Sequence, residues 1–182
     1  MNKVSINDVS ANEIRYTRYE SPLGMMLLAA DERGLRLISF AAGWRPESPQ
    51  LGWREDPVPF AETIRQLRAY FARELTEFDL PLALEGSEFQ LRVWEMLQTI
   101  PYGETTSYGQ LAKRLGNPNG ARAVGLANGS NPIPIIVPCH RVIGSNGSLV
   151  GYGGGLENKK ALLALESPQG RLHSTAFGAH AG

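Results

Sequence analysis

Cysteine is nearly absent from this sequence, with Cys139 alone among 182 residues. A single thiol excludes intramolecular disulfides and any multi-thiolate zinc or iron–sulfur centre. Histidine is almost as scarce. Of three, His173 and His180 stand close to the C-terminus, which leaves His140 as the one in the body of the chain. A His-rich metal site is not expected, and neither a metal nor a cofactor is implied. No apolar run approaches the roughly 18 residues of a membrane span. The polar N-terminus lacks the apolar core of a signal peptide. A cytoplasmic location with no membrane partner is expected.

Net charge is also missing: 18 basic side chains balance 18 acidic ones. That argues against a protein that coats nucleic acid by bulk charge. The balance hides a division, because residues 1–85 carry 10 basic and 13 acidic side chains, whereas residues 86–182 carry 8 and 5. No acid lies between Glu104 and Glu157, while Lys113, Arg114, Arg122 and Arg141 all fall there. The basic block is either a consequence of sparse charge or a surface for a polyanion. An apolar fraction of 42% is ordinary for a globular chain.

The first third reads as strands. Residues 14–19, 25–30 and 34–41 are separated by Ser21-Pro22-Leu23-Gly24 and Asp31-Glu32-Arg33-Gly34, short turns that suit an antiparallel meander. Residues 42–59, with four prolines, are expected to be an irregular loop. Phe60, Ile64, Leu67 and Phe71 then share one helical face. Residues 76–86 read as a connection, so the expected domains are 1–85 and 86–166. Residues 167–182 are expected to be a disordered tail. The fold class is α+β.

The second part is helical and well punctuated. Ser87 with Gln90 and Ser107 with Gln110 both fit the capping box, in which Ser and Gln side chains satisfy each other's backbone amides. The second box opens a short helix stopped by Gly116. Asn117-Pro118 offers a cap and first position for another helix that runs to about Gly129. Two short helices joined by a tight turn form a helix-turn-helix candidate. In the second of them Gly120, Ala123 and Ala127 leave one side bare, with Arg122 on the neighbouring stripe. A bare side admits another backbone, either a helix or sheet of the same protein or a narrow nucleic-acid groove.

Residues 133–137 read as a buried strand leading into Pro138-Cys139-His140-Arg141. A lone Cys is often a small buried hydrophobe. A reactive one needs a lowered pKa from a neighbouring His or cation, and both follow at once here. Successive side chains of an extended segment diverge, so Cys139 and His140 need a turn or a bridging water to cooperate. A third group would then orient the imidazole. Glu166, at the end of a last helix where the helix dipole does not favour an acid, is either solvated or that partner. Ala161, Leu162 and Leu165 are expected on the inner face of this helix. The Gly-rich stretch 151–155 matches neither a P-loop nor a dinucleotide fingerprint.

The ordered set of motifs resembles the O6-alkylguanine-DNA alkyltransferases. Residues 131–144, running from Asn131 through Pro138-Cys139-His140-Arg141 to Gly144, look like that family's active-site signature. Tyr108-Gly109-Gln110-Leu111-Ala112 and Ala121-Arg122-Ala123-Val124-Gly125 look like its helix-turn-helix, and Gly151-Tyr152-Gly153-Gly154 and residues 162–166 match as well. The resemblance is strongest over residues 86–166 and weaker over 14–85. It implies a ribonuclease H-like N-terminal domain and a winged helix-turn-helix C-terminal domain. It also implies direct-reversal DNA repair: Cys139 takes the alkyl group from O6 of guanine, once per molecule, in double-stranded DNA bound through the minor groove with the base flipped out.

By the same resemblance, His140 acts as base through a water and Glu166 holds its ring. Tyr108 donates to N3 of the leaving guanine, and Asn131 braces the turn. Arg122 takes the place of the extruded nucleotide. Gly109, Asn117, Gly120, Ala121, Ala123, Ala127 and Ser145 are the further DNA-binding candidates. Pro134, Val142, Tyr152, Gly153 and Gly154 are the pocket candidates. Gly153 stands where some members carry a larger residue, which implies room for bulkier alkyl groups. A monomer is implied, with cooperative binding along DNA left open. Independently of the resemblance, a base inside a duplex cannot reach a protein thiol without extrusion at a cost of a few kcal/mol.

Three other classes account for less. A non-enzymatic lesion binder of the alkyltransferase-like kind would lack the nucleophile. A transcription regulator leaves Pro138-Cys139-His140-Arg141 without a purpose. A cysteine hydrolase leaves the bare helix and the basic block without one.

Overall fold

A computed structural model describes residues 13–44 and 46–168, so the tail expected to be disordered lies outside the described residues apart from Ser167 and Pro168. The meander forms as expected: β1 (Arg15–Ser21), β2 (Gly24–Asp31) and β3 (Gly34–Phe40) pair antiparallel. Within the segment expected to be irregular, β4 (Arg54–Glu55) adds in parallel to β1, giving the order β3-β2-β1-β4. β2 is central, and Met26 to Ala29 are buried on both faces. The Leu35 amide donates to Pro81 O and the Ala83 amide to Leu35 O, so residues 81–83 cover the free edge of β3.

Helix α1 (Ala61–Phe71) lies rotated from the expected face. It buries Thr63, Gln66, Leu67 and Tyr70, while Ile64 and Phe71 are only partly covered. The reason is polar. The Gln66 amide group bonds both the backbone N–H and C=O of Asp79, and the Tyr70 hydroxyl finds a buried carboxylate, so the two bury without penalty.

In the helical part both capping boxes are present, at Ser87 before α2 (Glu88–Gln98) and at Ser107 before α3 (Tyr108–Arg114). Helix α4 (Ala121–Gly129) starts later than expected, with Gly120 as its cap. Asn117 to Asn119 form the turn instead: the Gly120 amide donates to Asn117 O, and the Asn117 side chain closes over Gly120 where a Cβ would stand. The Trp94 indole N–H donates to Ala127 O at 2.8 Å and ties α2 to α4.

Residues 133–137 are not a strand. The Val137 amide donates to Ile133 O and Ile135 takes a φ of 77°, so the segment is a tight buried turn. A 3-10 turn over Cys139–Arg141 follows, then β6 (Val142–Ile143), which pairs in parallel with β5 (Thr106–Ser107) to make a small wing beside the helices. The closing helix α5 (Leu156–Glu166) turns Lys159, Leu162 and Glu166 inward, whereas Ala161 is exposed and Leu165 partly buried. The molecule is thus α+β, with an antiparallel sheet and one helix followed by a helical part with a helix-turn-helix and wing.

Candidate functional site

The buried turn and the 3-10 turn after it deliver Cys139 and His140 to different surroundings. Asn131 organises the thiol side. Its side-chain N–H groups donate to Val137 O at 2.7 Å and to Cys139 Sγ at 3.0 Å, and its carbonyl accepts from the Ile133 amide. The side chain therefore bridges both ends of the turn and the sulfur. The Asn128 side chain holds the Cys139 carbonyl from α4. Cys139 is only 3% exposed, and burial pushes its thiol up to about 11 despite the Asn131 hydrogen bond and the nearby Lys159 cation. The expected lowered pKa is absent: desolvation of the thiolate outweighs its favourable neighbours.

The imidazole lies in a charged network. His140 Nε2 is 2.8 Å from Glu166 Oε1. The same carboxylate accepts from the Tyr70 hydroxyl at 2.7 Å, from Arg141 Nε and Nη2 at 2.8 and 2.9 Å, and from the Gly103 amide at 3.3 Å. Burial alone would raise the Glu166 carboxyl, but the His140 and Arg141 hydrogen bonds reverse this and hold it at about 2. Because an ionised carboxylate only accepts, Nε2 carries the proton and Nδ1 the lone pair. Burial lowers the His140 pKa, opposed in part by Glu166, so the ring stays neutral. Nδ1 is buried with no hydrogen-bond partner among the described residues. It is a base without a proton to share.

Two members of this arrangement were not legible in the sequence. Tyr70 comes from α1, 96 positions away from Glu166. Lys159 is fully buried, and its ammonium donates to Val142 O at 2.6 Å and Val150 O at 3.0 Å. Burial brings it down to about 8. Tyr108 completes the group: its hydroxyl donates to the same Val150 O at 2.9 Å, and burial followed by the proximity of Cys139 raises it to about 12. An ammonium within 5.9 Å of the Tyr108 ring centre and a phenol on one carbonyl hold the wing loop to α3 and α5.

The thiol opens on a cleft of about 610 Å³ lined by Asn131, Pro134, Cys139, Tyr152, Gly153 and Gly154, with Gly125, Leu126 and Gly129 of α4 on its border. Of the expected pocket residues only Val142 is elsewhere, buried in the β5–β6 pair where its alternation points it into the core. The expected bare helix side is also revised. Gly120 and Ala127 are buried, because that side packs within the protein. The exposed face runs through Arg122, Ala123, Leu126 and Gly129, with Ala121 half-buried beside it. Asn117 and Ser145 are exposed and Gly109 half-buried. Arg141, counted in the basic block, is spent on Glu166 inside the molecule. No helix among the described residues is long and apolar enough to cross a membrane, and these residues contain no cluster of His, Cys, Asp and Glu able to hold a metal.

A buried thiol beside a carboxylate-oriented imidazole, set next to a helix-turn-helix, defines a protein with cysteine-centred chemistry and a helical surface for a second molecule. The comparisons narrow this class. The profile of the 6-O-methylguanine DNA methyltransferase ribonuclease-like domain matches residues 14–84, and that of its DNA binding domain matches residues 88–168. The chain belongs to this family. It is 55% identical over 166 residues to a methylated-DNA–protein-cysteine methyltransferase of Mycolicibacterium paratuberculosis, covering 90% of this chain and 96% of that protein. The counterpart in Methanosarcina acetivorans is 56% identical over 151 residues, covering 83% and 97%. Among solved structures, Mycobacterium tuberculosis OGT in complex with DNA is similar with a TM-score of 0.78 and 53% identity, over 84% of this chain and 92% of that one.

Proposed function

We propose that this protein repairs DNA by direct reversal, moving the alkyl group of O6-alkylguanine to Cys139 in a single irreversible turnover. The observation that carries the reading is the protonation pattern around the thiol. Glu166 fixes the His140 proton on Nε2, so Nδ1 of the residue that follows Cys139 stands as a neutral buried base while the thiol is still protonated. No sulfur–imidazole hydrogen bond joins the two among the described residues, so the proton passes through a bridging water. The S–C bond forms as the C–O6 bond breaks, the electron pair leaves on the guanine, and the thiol proton goes to Nδ1. Tyr108, kept protonated by burial, leaves Val150 O to donate to N3 of the departing base. Asn131 holds the sulfur in line. The thioether has no way back, which makes the reaction stoichiometric.

The base reaches the thiol by leaving the helix stack, since a base stacked inside a duplex cannot be brought to a thiol that is only 3% exposed. Helix α4 supplies the face for the minor groove: Arg122 and Ala123 are exposed on it, and Arg122 fills the gap left by the extruded nucleotide. Ala121, Gly109, Asn117 and Ser145 lie at or near the surface around it, whereas Gly120 and Ala127 act from inside by letting the turn and α2 approach. The assignment of domains to residues 1–85 and 86–166, action as a monomer and a cytoplasmic location belong to the same reading. The test is intact mass after incubation with duplex DNA containing O6-methylguanine. A gain of one methylene on Cys139, reaching one equivalent and absent from Cys139→Ser, is expected. No gain, or turnover beyond one equivalent, refutes the proposal.

A further inference from the structure

The cleft above Cys139 is not built by the helical part alone. Leu37, Phe40, Trp44 and Glu47, from β3 and the chain just after it, line it together with Asn131, Cys139 and Gly153. Two backbone hydrogen bonds bracket this wall: the Ile38 amide donates to Pro132 O at 2.9 Å, and the Trp44 amide donates to Gly153 O at 3.0 Å. Gly43 makes the second one possible. A Cβ there would meet Phe40 O at 3.0 Å and Gly153 O at 3.1 Å, so a side chain would push the two backbones apart by a few tenths of an ångström. Trp44 is therefore fixed against the same loop residue that borders the thiol.

Its side chain gains nothing from that anchoring within the protein. Trp44 is 80% exposed although it is a large apolar group, and Leu126, which lines the same cleft from α4, is 72% exposed. A lone exposed apolar residue needs no explanation. Two large ones bordering one cleft, one of them held by a backbone contact to the reactive loop, form an apolar rim. The cleft volume of about 610 Å³ falls in the range of about 300–1,000 Å³ typical of pockets that bury drug-sized ligands, more than a purine with one methyl group occupies. Gly153, with no side chain, leaves the way from sulfur to rim open.

We propose that Trp44 is a specificity-determining residue, whose indole stacks on an aromatic O6-substituent and raises the preference of the site for aryl-methyl over methyl groups. The inference rests on the alkyl-transfer reading and adds to it the class of adduct. The chemistry at sulfur is unchanged. The aromatic ring lies beyond the transferred carbon, on the side toward the rim, where an offset or edge-on ring contact stabilises its approach.

The test compares rate constants for O6-benzylguanine and O6-methylguanine, each in the same duplex, followed by intact mass for the wild-type protein, Trp44→Ala and Trp44→Phe. The benzyl-to-methyl ratio is expected to fall about tenfold in Trp44→Ala, equivalent to about 1.4 kcal/mol, and to recover most of that in Trp44→Phe. A merely structural role would slow both substrates alike and leave the ratio unchanged. An unchanged ratio, or a wild-type protein that takes methyl but not benzyl, overturns this inference and leaves alkyl transfer standing. Absence of both adducts from the wild-type protein overturns alkyl transfer itself, and this inference with it.

Discussion

The thiol should be inert in the free protein, and its pH dependence measures by how much. Burial lifts Cys139 from an ordinary value of 9.0 to about 11. At about pH 8 a thiol of the first kind is roughly 10% ionised and one of the second roughly 0.1%, a difference of about a hundredfold in nucleophile. Alkylation of the native protein by iodoacetamide should therefore rise about tenfold per pH unit from about pH 7 to about pH 10, with no plateau. At about pH 8 it should run at least about a hundredfold slower than in the urea-unfolded chain. On the proposed mechanism methyl transfer from DNA should not follow that slope, because the thiol proton passes to His140, whose pKa burial lowers so that the ring is neutral and free to accept it. The linkage has a definite sign. The unfolded thiol begins to ionise near 9 while the folded one keeps its proton to about 11, so its contribution to stability is present below 9 and lost as pH rises from 9 toward 11. The loss amounts to about 3 kcal/mol, and Cys139→Ala should remove it. A plateau of iodoacetamide reactivity near neutral pH would show a preformed thiolate and refute the reasoning.

Two further outcomes follow from the buried charges. Glu166→Gln leaves Arg141 without its counter-ion and should cost about 3–5 kcal/mol, lowering the melting temperature by about 10 °C; a loss under about 1 kcal/mol in urea unfolding contradicts the network. Lys159→Met leaves the Val142 carbonyl without its donor. It should cost about 1–3 kcal/mol, slow methyl transfer by removing the cation near Cys139, and speed amide exchange in residues 148–152; unchanged exchange there argues against the anchoring role.

What was legible in the sequence followed from local chemistry. The capping boxes at Ser87 and Ser107 and the turns around Gly24 and Gly34 depend on residues a few positions apart, so their spacing suffices. The link from Glu166 to His140 came from the family resemblance, because an acid at a helix C-terminus is locally unfavourable but is as readily solvated as paired. Tyr70 and Lys159 gave no such signal. Tyr70 occupies a helix where Phe60, Ile64, Leu67 and Phe71 already offer a plausible apolar face, and only a carboxylate from the other end of the chain makes its burial favourable. Lys159 sits beside Lys160 in a helix rich in charge, and nothing local distinguishes the fully buried lysine from the exposed one. The segment 133–137 misled for a related reason. Its apolar run marks burial correctly, but burial does not choose between a strand and a turn braced by Asn131. The same limit applies to α4, where a stripe of small residues told of close approach without saying whether DNA or α2 does the approaching.

The separation of Cys139 from His140 has a chemical consequence. Had the two side chains shared one hydrogen bond, the pair would have formed a thiolate–imidazolium at rest, open to any electrophile that diffused into the cleft. Here the carboxylate acts on the far nitrogen of the ring, which keeps the imidazole neutral and basic at Nδ1, while the sulfur faces Asn131 and an apolar wall. On the proposed mechanism the proton moves only during the reaction, when an alkyl carbon is already in line and the developing charge can be taken up by the leaving guanine. A protein with a single thiol and one turnover to give is best protected by a nucleophile that its own fold holds in the unreactive form. The burial that makes Cys139 look like a structural residue is then what reserves it for its substrate.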